Sequence, residues 1–259
     1  MSRTRIQQEQ IFHDSQACER ARFFTQYPER LRFSDEEYLS HESSITSALN
    51  ELGEVRGKAV LDLGCGHGMA SVVLARRGAT VTALELSRKY IQEAKWRALA
   101  NRVDIDFVQG DAQRLPFADA SCDRIWGHAI LHHLDVRQSA LEIRRVLKPD
   151  GIAVFCEPWG ENRLLRWARR HLPYRGKGHT PDEEPLRQRD VTVLRELFPQ
   201  LKIQGVQLLS MAQRAIPLGP FRGIVRKCDE ILLRCFPLLQ RYCRYVVLRL
   251  NRSLTGSLS

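Results

Sequence analysis

The pattern of apolar and polar positions changes character at Gly57. Before it, residues 5–52 read as helical. Ser34 and Glu37 have the spacing of a capping box, and Leu49 and Leu52 continue an apolar face. From Gly57 onward, short apolar runs alternate with helical stretches. Lys58–Leu63 predicts a first strand and Met69–Arg77 a helix. Thr80–Leu86 predicts a second strand and Ser87–Ala100 the helix after it. Val103–Val108 and Arg124–His128 predict the next two strands, Val136–Leu147 a helix, and Gly151–Glu157 a fifth strand. Alternation of this kind implies βαβ crossovers and a parallel sheet. Lys148-Pro149-Asp150-Gly151 reads as a turn from its Pro and Gly chemistry. The segment 158–184 is rich in Pro, Gly and Arg. Asp190–Phe198 reads as a helix and Leu201–Leu209 as a sixth strand. Ile224, Val225, Cys228, Ile231, Leu232 and Cys235 fall at helical spacing, which predicts a helix over 221–235 ended by Pro237. Tyr245–Leu250 reads either as more of that helical region or as a strand.

A chain of 259 residues is long enough for one large domain, or for a core domain with an added lobe. No repeat or low-complexity tract interrupts it. The first residues lack the apolar centre of a secretory signal, and no apolar run approaches the roughly 18 residues of a membrane span. Seven cysteines without C-x-x-C pairs or metal-ligand spacing fit a reduced, cytoplasmic setting. No acid cluster calls for a divalent metal.

Charge changes the picture more. The formal net charge is +10. Its excess lies in two stretches, residues 159–179 and 221–252, where arginines and lysines heavily outnumber acids. RNA, a phospholipid surface or an acidic substrate would suit such stretches, and a solvated basic surface is the plain alternative.

The candidate chemistry centres on Val60-Leu61-Asp62-Leu63-Gly64-Cys65-Gly66-His67-Gly68. An apolar run containing a carboxylate leads into three glycines at alternate positions, and a helical stretch follows. Glycines permit a sharp turn and close approach of a ligand, and the amides at the start of the helix would face it. The carboxylate before the turn suggests a ligand carrying positive charge. The dinucleotide fingerprint wants a small residue at the sixth position, where Met69 stands instead. The motif resembles motif I of the class I methyltransferases, which bind S-adenosylmethionine (SAM). Further features follow in the family's order: Glu85 closing the second strand, Gly110-Asp111-Ala112 after the third, then Leu115-Pro116-Phe117 and Asp123-Arg124-Ile125. These resemble the type 11 methyltransferases, and the resemblance covers about residues 57–157.

The resemblance implies an α/β fold: a Rossmann-like seven-stranded sheet, mostly parallel, with an antiparallel last strand formed by Tyr245–Leu250. The N-terminal helices would lie over the cofactor as a lid, and the helix at 221–235 would be inserted before the last strand. The chain is expected to divide into a helical cap at 1–56, a SAM-binding core at 57–209, and the insertion with the last strand at 210–259. For the cofactor, the resemblance implies Asp62 near the ammonium, the backbone of Gly64, Cys65 and Gly66 along the methionine part, and Gly68 letting the helix begin close by. It implies Glu85 on the ribose hydroxyls, Leu86 against the adenine, and Asp111 with the Ala112 amide on the adenine edge.

Methyl transfer needs an acceptor aligned in line with the sulfonium, with a base where the acceptor must lose a proton. His128, His132 and His133 follow the fourth strand, and imidazole titrates near neutrality. His128 and His133 are the candidate catalytic residues. His133 also reads as a packing residue, because type 11 enzymes with different substrates carry His-Leu there. Glu157 and Trp159, after the fifth strand, are candidate substrate-binding residues, and Glu157 reads equally as a helix cap. The fourth strand lacks the Pro-Pro-aromatic and Pro-Cys motifs of base-modifying enzymes, where Trp126-Gly127-His128-Ala129 stands. The expected reaction is O- or C-methylation of a small hydrophobic acceptor, with membrane contact through the basic helices as a possible partner interaction. The alternatives are an RNA-directed methyltransferase, a SAM-binding protein without catalysis, and an NAD-dependent oxidoreductase.

Overall fold

Each central strand divides its side chains between two apolar layers. In β1 (Ala59–Leu63), Val60 joins one layer while Leu61 and Leu63 join the other. Successive side chains of a strand point to opposite faces, so a strand buried on both sides reads as an unbroken apolar run. The same division holds in β4 (Cys122–His128), β5 (Leu147–Pro158) and β7 (Tyr245–Asn251). In the computed structural model these strands join β2 (Thr80–Glu85), β3 (Asp106–Gln109) and β6 (Lys202–Val206) in one sheet of order β3-β2-β1-β4-β5-β7-β6. The structure describes residues 3–41, 43–171, 184–214 and 219–252. Strands β1 to β5 pair in parallel, and β7 runs antiparallel to both β5 and β6.

The helices are α1 (Arg3–Gln26), α2 (Asp35–His41), α3 (Ser43–Leu52), α4 (Met69–Arg76), α5 (Arg88–Asn101), α6 (Val136–Val146), α7 (Arg163–His171), α8 (Gln188–Leu197) and α9 (Arg222–Cys235). One face of the sheet is covered by α2, α3 and α4, through Tyr38, Leu49, Leu52 and Val73. The other is covered by α6 and α8, through Ile143, Val191 and Leu194. Helix α1 lies on α5. Arg20 forks onto Glu93 at 3.0 and 2.7 Å, Tyr90 donates to Gln16, and the Ser87 hydroxyl donates to Asp14.

Several expected elements shift for physical reasons. The helical stretch 5–52 is three helices interrupted by a short turn at Pro28–Leu31. The expected capping box is reciprocal: the Ser34 amide donates to Glu37 and the Glu37 amide to the Ser34 hydroxyl. β3 begins at Asp106 rather than Val103, because the Val103 amide caps α5 by donating to the Ala98 carbonyl. Lys148–Gly151 is a bulge within β5, with Asp150 at a φ of 62°. α7 lies in a stretch where the sequence predicted no element, and residues 172–183 of that stretch fall outside the described residues. Tyr245–Asn251 is a strand, and α9 is inserted between β6 and β7 as expected.

Candidate functional site

From β1 the chain builds β2 and β3 on one side, then crosses back to place β4 on the other side of β1. Strand order reverses between β1 and β4. Open α/β sheets bind ligands in the crevice beyond the carboxyl ends of the strands at such a point. A cavity of about 230 Å³ lies there. Eight of the expected site residues line it: Gly64 and Gly66 after β1, Glu85 and Leu86 at the end of β2, Asp111 and Ala112 after β3, and His128 and His133 around the end of β4.

The cavity is polar at chosen points. Glu85 is largely buried, and its carboxylate accepts the amides of Gly66 and Ser87, each at 2.9 Å. The Gly66 bond ties the glycine turn to the end of β2. Asp111 accepts the Gln113 amide at 2.9 Å. His128 stacks on Tyr245, with ring centres 6.1 Å apart and planes 16° from parallel. The backbone at Gly66 has a φ of +52°, and a Cβ there would meet nothing within 4 Å. The glycine therefore leaves open space in the cavity wall for a ligand to approach the backbone. Carboxylates and the apolar Leu84, Leu86 and Ile130 in one crevice suit a cationic nucleoside.

Other expected site residues lie outside the cavity lining. Asp62 is buried behind the turn and accepts the Ser71 hydroxyl at 2.5 Å. Burial pushes its carboxyl up to about 7, against the pull of that hydroxyl and with the nearby Glu85 charge adding to the rise. Cys65 is a buried thiol whose pKa is raised by the same burial. Gly68 serves packing: its φ is +80°, and a Cβ would come within 2.7 Å of the Ala94 side chain on α5.

Glu157 and Trp159 are not brought to the cavity. Glu157 is completely buried. One oxygen accepts the amides of Ile130 and Leu131, each at 2.9 Å, and the other lies 2.7 Å from His132 Nδ1. Burial alone would raise its pKa, but His132 and the two amides hold it below the usual carboxylate range. It thus anchors the short turn Leu131–His133 that presents His133. Trp159 is buried in the core, with its backbone bridged to Leu186.

Sequence reasoning missed the contribution of α1, which it read only as a lid. Glu9, His13 and Gln16 of this helix line the cavity. Glu9 lies 3.5 Å from His13 and 3.4 Å from His133. Burial alone would raise the Glu9 pKa, but hydrogen bonds to both histidines hold it well below the ordinary range. The available signal was the spacing of Glu9 and His13, four residues apart on one helix face. A larger cavity of about 720 Å³ lies between β6 and α9, near the far edge of the sheet and away from the glycine turn.

Residues 61–155 match the family model described as a methyltransferase domain. Fold, crevice and match together define a methyltransferase domain of class I, the SAM-dependent kind. Over 121 residues the chain is 37% identical to a fatty-acid O-methyltransferase of Mycolicibacterium smegmatis, covering 45% of this chain and 43% of that protein. Over 97 residues it is 42% identical to a malonyl-acyl-carrier-protein O-methyltransferase of Erwinia pyrifoliae, covering 37% and 36% respectively. The matches thus span less than half the length of these relatives. Among solved structures, geranyl diphosphate C-methyltransferase of Streptomyces coelicolor A3(2) shares the fold, with a TM-score of 0.56 at 17% identity over 83% of this chain and 80% of that one. The cyclase SpnF does too, with a TM-score of 0.55 at 20% identity over 80% and 79%.

Proposed function

We propose that this protein transfers a methyl group from SAM to oxygen or carbon of a small, hydrophobic acceptor. The observation that carries the reading is the convergence of the glycine turn, Glu85, Asp111 and two histidines on one crevice, walled by α1. The acceptor class draws support from relatives named for fatty-acid and malonyl-acyl-carrier-protein O-methylation.

When bound, SAM supplies an electrophilic methyl on a sulfonium with a neutral thioether as leaving group. The chain's own residues do the rest. Glu85 would hold the ribose hydroxyls through charge-assisted hydrogen bonds. Asp111 and the Ala112 amide would read the adenine edge, and Leu86 would pack on its face. The backbone at Gly64, Cys65 and Gly66 would run along the methionine part, with the Asp62 carboxyl behind it. His128 or His133 would accept the proton that a hydroxyl acceptor gives up. Glu9 fixes the orientation of the His133 ring from the opposite wall.

Calorimetric titration with S-adenosylhomocysteine, beside NAD and beside a Glu85→Ala variant, tests the reading. Micromolar binding of the homocysteine nucleoside, lost in the variant, is the expected result. Binding of NAD instead, or binding unaffected by the variant, overturns the assigned site. Radiolabelled methyl transfer to free fatty acids and to acyl carrier protein thioesters then tests the acceptor class.

A further inference from the structure

Part of the basic excess and just over half of the exposed large apolar side chains among the described residues fall in residues 163–171 and 221–242. Helix α9 exposes Ile224, Cys228, Ile231 and Cys235, spaced four, three and four residues apart so that they form one stripe, of which Ile231 and Cys235 also line the cavity beside β6. Ile224 is 62% exposed and Ile231 57%. The turn Pro237–Tyr242 that follows exposes Leu238 to 84%. The opposite side of α9 faces the protein: Leu233 is buried, and Asp229 accepts the amides of Leu209 and Ser210. The stripe is therefore a second apolar face, additional to the one the core uses.

Helix α7 joins it. Asn162 caps α7 by accepting the Leu165 amide at 3.0 Å and donates to the Tyr242 carbonyl at 2.8 Å. This contact sets the start of α7, the helix that exposes Leu164 and Trp167, beside the end of the turn after α9. Phe221 and Phe236, at the two ends of α9, are exposed as well.

We propose that the face formed by α7, α9 and the turn Pro237–Tyr242 lies on an anionic lipid surface. Lys227 and Arg234 flank the stripe on one side, and long basic stems beside an apolar helix face suit the boundary between acyl chains and headgroups. Arg163, Arg166 and Arg241 add to the same end of the molecule. Of the two acids of α9, Asp229 is buried and the exposed Glu230 pairs with Arg226 at 3.9 Å. A second copy on this face would bring like charges together, and a nucleic acid would leave the isoleucine stripe in water. Among the described residues no helix is long and apolar enough to cross a membrane, so the contact is at the surface.

Vesicle flotation tests this, using phosphatidylcholine vesicles with and without phosphatidylglycerol. The full chain is compared with Ile224→Ser/Ile231→Ser, with Lys227→Glu/Arg234→Glu, and with Lys95→Glu on α5 at the opposite sheet edge. Binding of S-adenosylhomocysteine by each variant reports that the fold is intact. The expected result is binding to phosphatidylglycerol vesicles that weakens with salt. Each double variant should lose about tenfold or more in partitioning, with Lys95→Glu unchanged. Absence of binding to anionic vesicles overturns the proposal, as does equal binding by the charge-reversed variant. So does a dimer in sedimentation equilibrium, or RNA binding, that the double variants abolish while vesicles are left unbound.

Discussion

Asp62 and the two glycines beyond it show how one short motif carries different physical tasks. Asp62 has no close cationic partner among its described contacts, so burial dominates and raises its pKa from 3.8 to about 7. A raised carboxyl favours the protonated folded state. Its contribution to stability is complete below about pH 4 and is lost as pH rises through 7, at up to roughly 1.4 kcal/mol per pH unit. Asp62→Asn should therefore flatten the pH dependence of denaturant midpoints between pH 4 and 7 and leave the variant the more stable at pH 8. Gly66 and Gly68 separate ligand approach from packing. Gly66→Ala meets open space and should fold with a loss of about 1 kcal/mol from its positive φ, while weakening S-adenosylhomocysteine binding. Gly68→Ala drives a methyl into Ala94 and should lose about 3 kcal/mol or more, read by urea unfolding. The motif was legible in sequence as a glycine turn after an acid. Which glycine borders open space in the cavity and which packs on α5 was not, because Ala94 lies 26 positions away along the chain.

Between elements, the decisive contacts are those of α1 with α5 and of β5 with the turn after β4. Ser87 is the N-cap of α5, accepting the Tyr90 amide at 3.1 Å, and its hydroxyl also reaches Asp14 on α1. Ser87→Ala should cost about 1 kcal/mol through the cap alone. It should also speed hydrogen exchange in α1 more than in β1 or β4, which a mass-spectrometric exchange experiment reads. The strands of the core were legible because apolar runs of that length bounded by turn residues have few other readings. The task of Glu157 was not legible: an acid after a strand points to a ligand or to a cap with equal ease. Only the fold puts Ile130, Leu131 and His132 around it.

For the whole molecule, ligand binding and stability are linked. A ligand that binds only the folded state adds about 2.7 kcal/mol at one hundred times its dissociation constant. For a chain of this size that corresponds to a rise in Tm of roughly 5–10 °C. S-adenosylhomocysteine should produce it in differential scanning fluorimetry, and NAD should not. The sequence by itself determined the alternating strand and helix order, the glycine turn with its acid, and the acids closing β2 and following β3. These follow from local periodicity and from turn chemistry, which act over a few residues. The tertiary structure alone decided that β7 closes the sheet between β5 and β6, that Glu9 and His13 of α1 meet His133 across the cavity, and that α9 keeps a second apolar face in solvent. Those outcomes depend on contacts between segments far apart in the chain, which periodicity cannot encode.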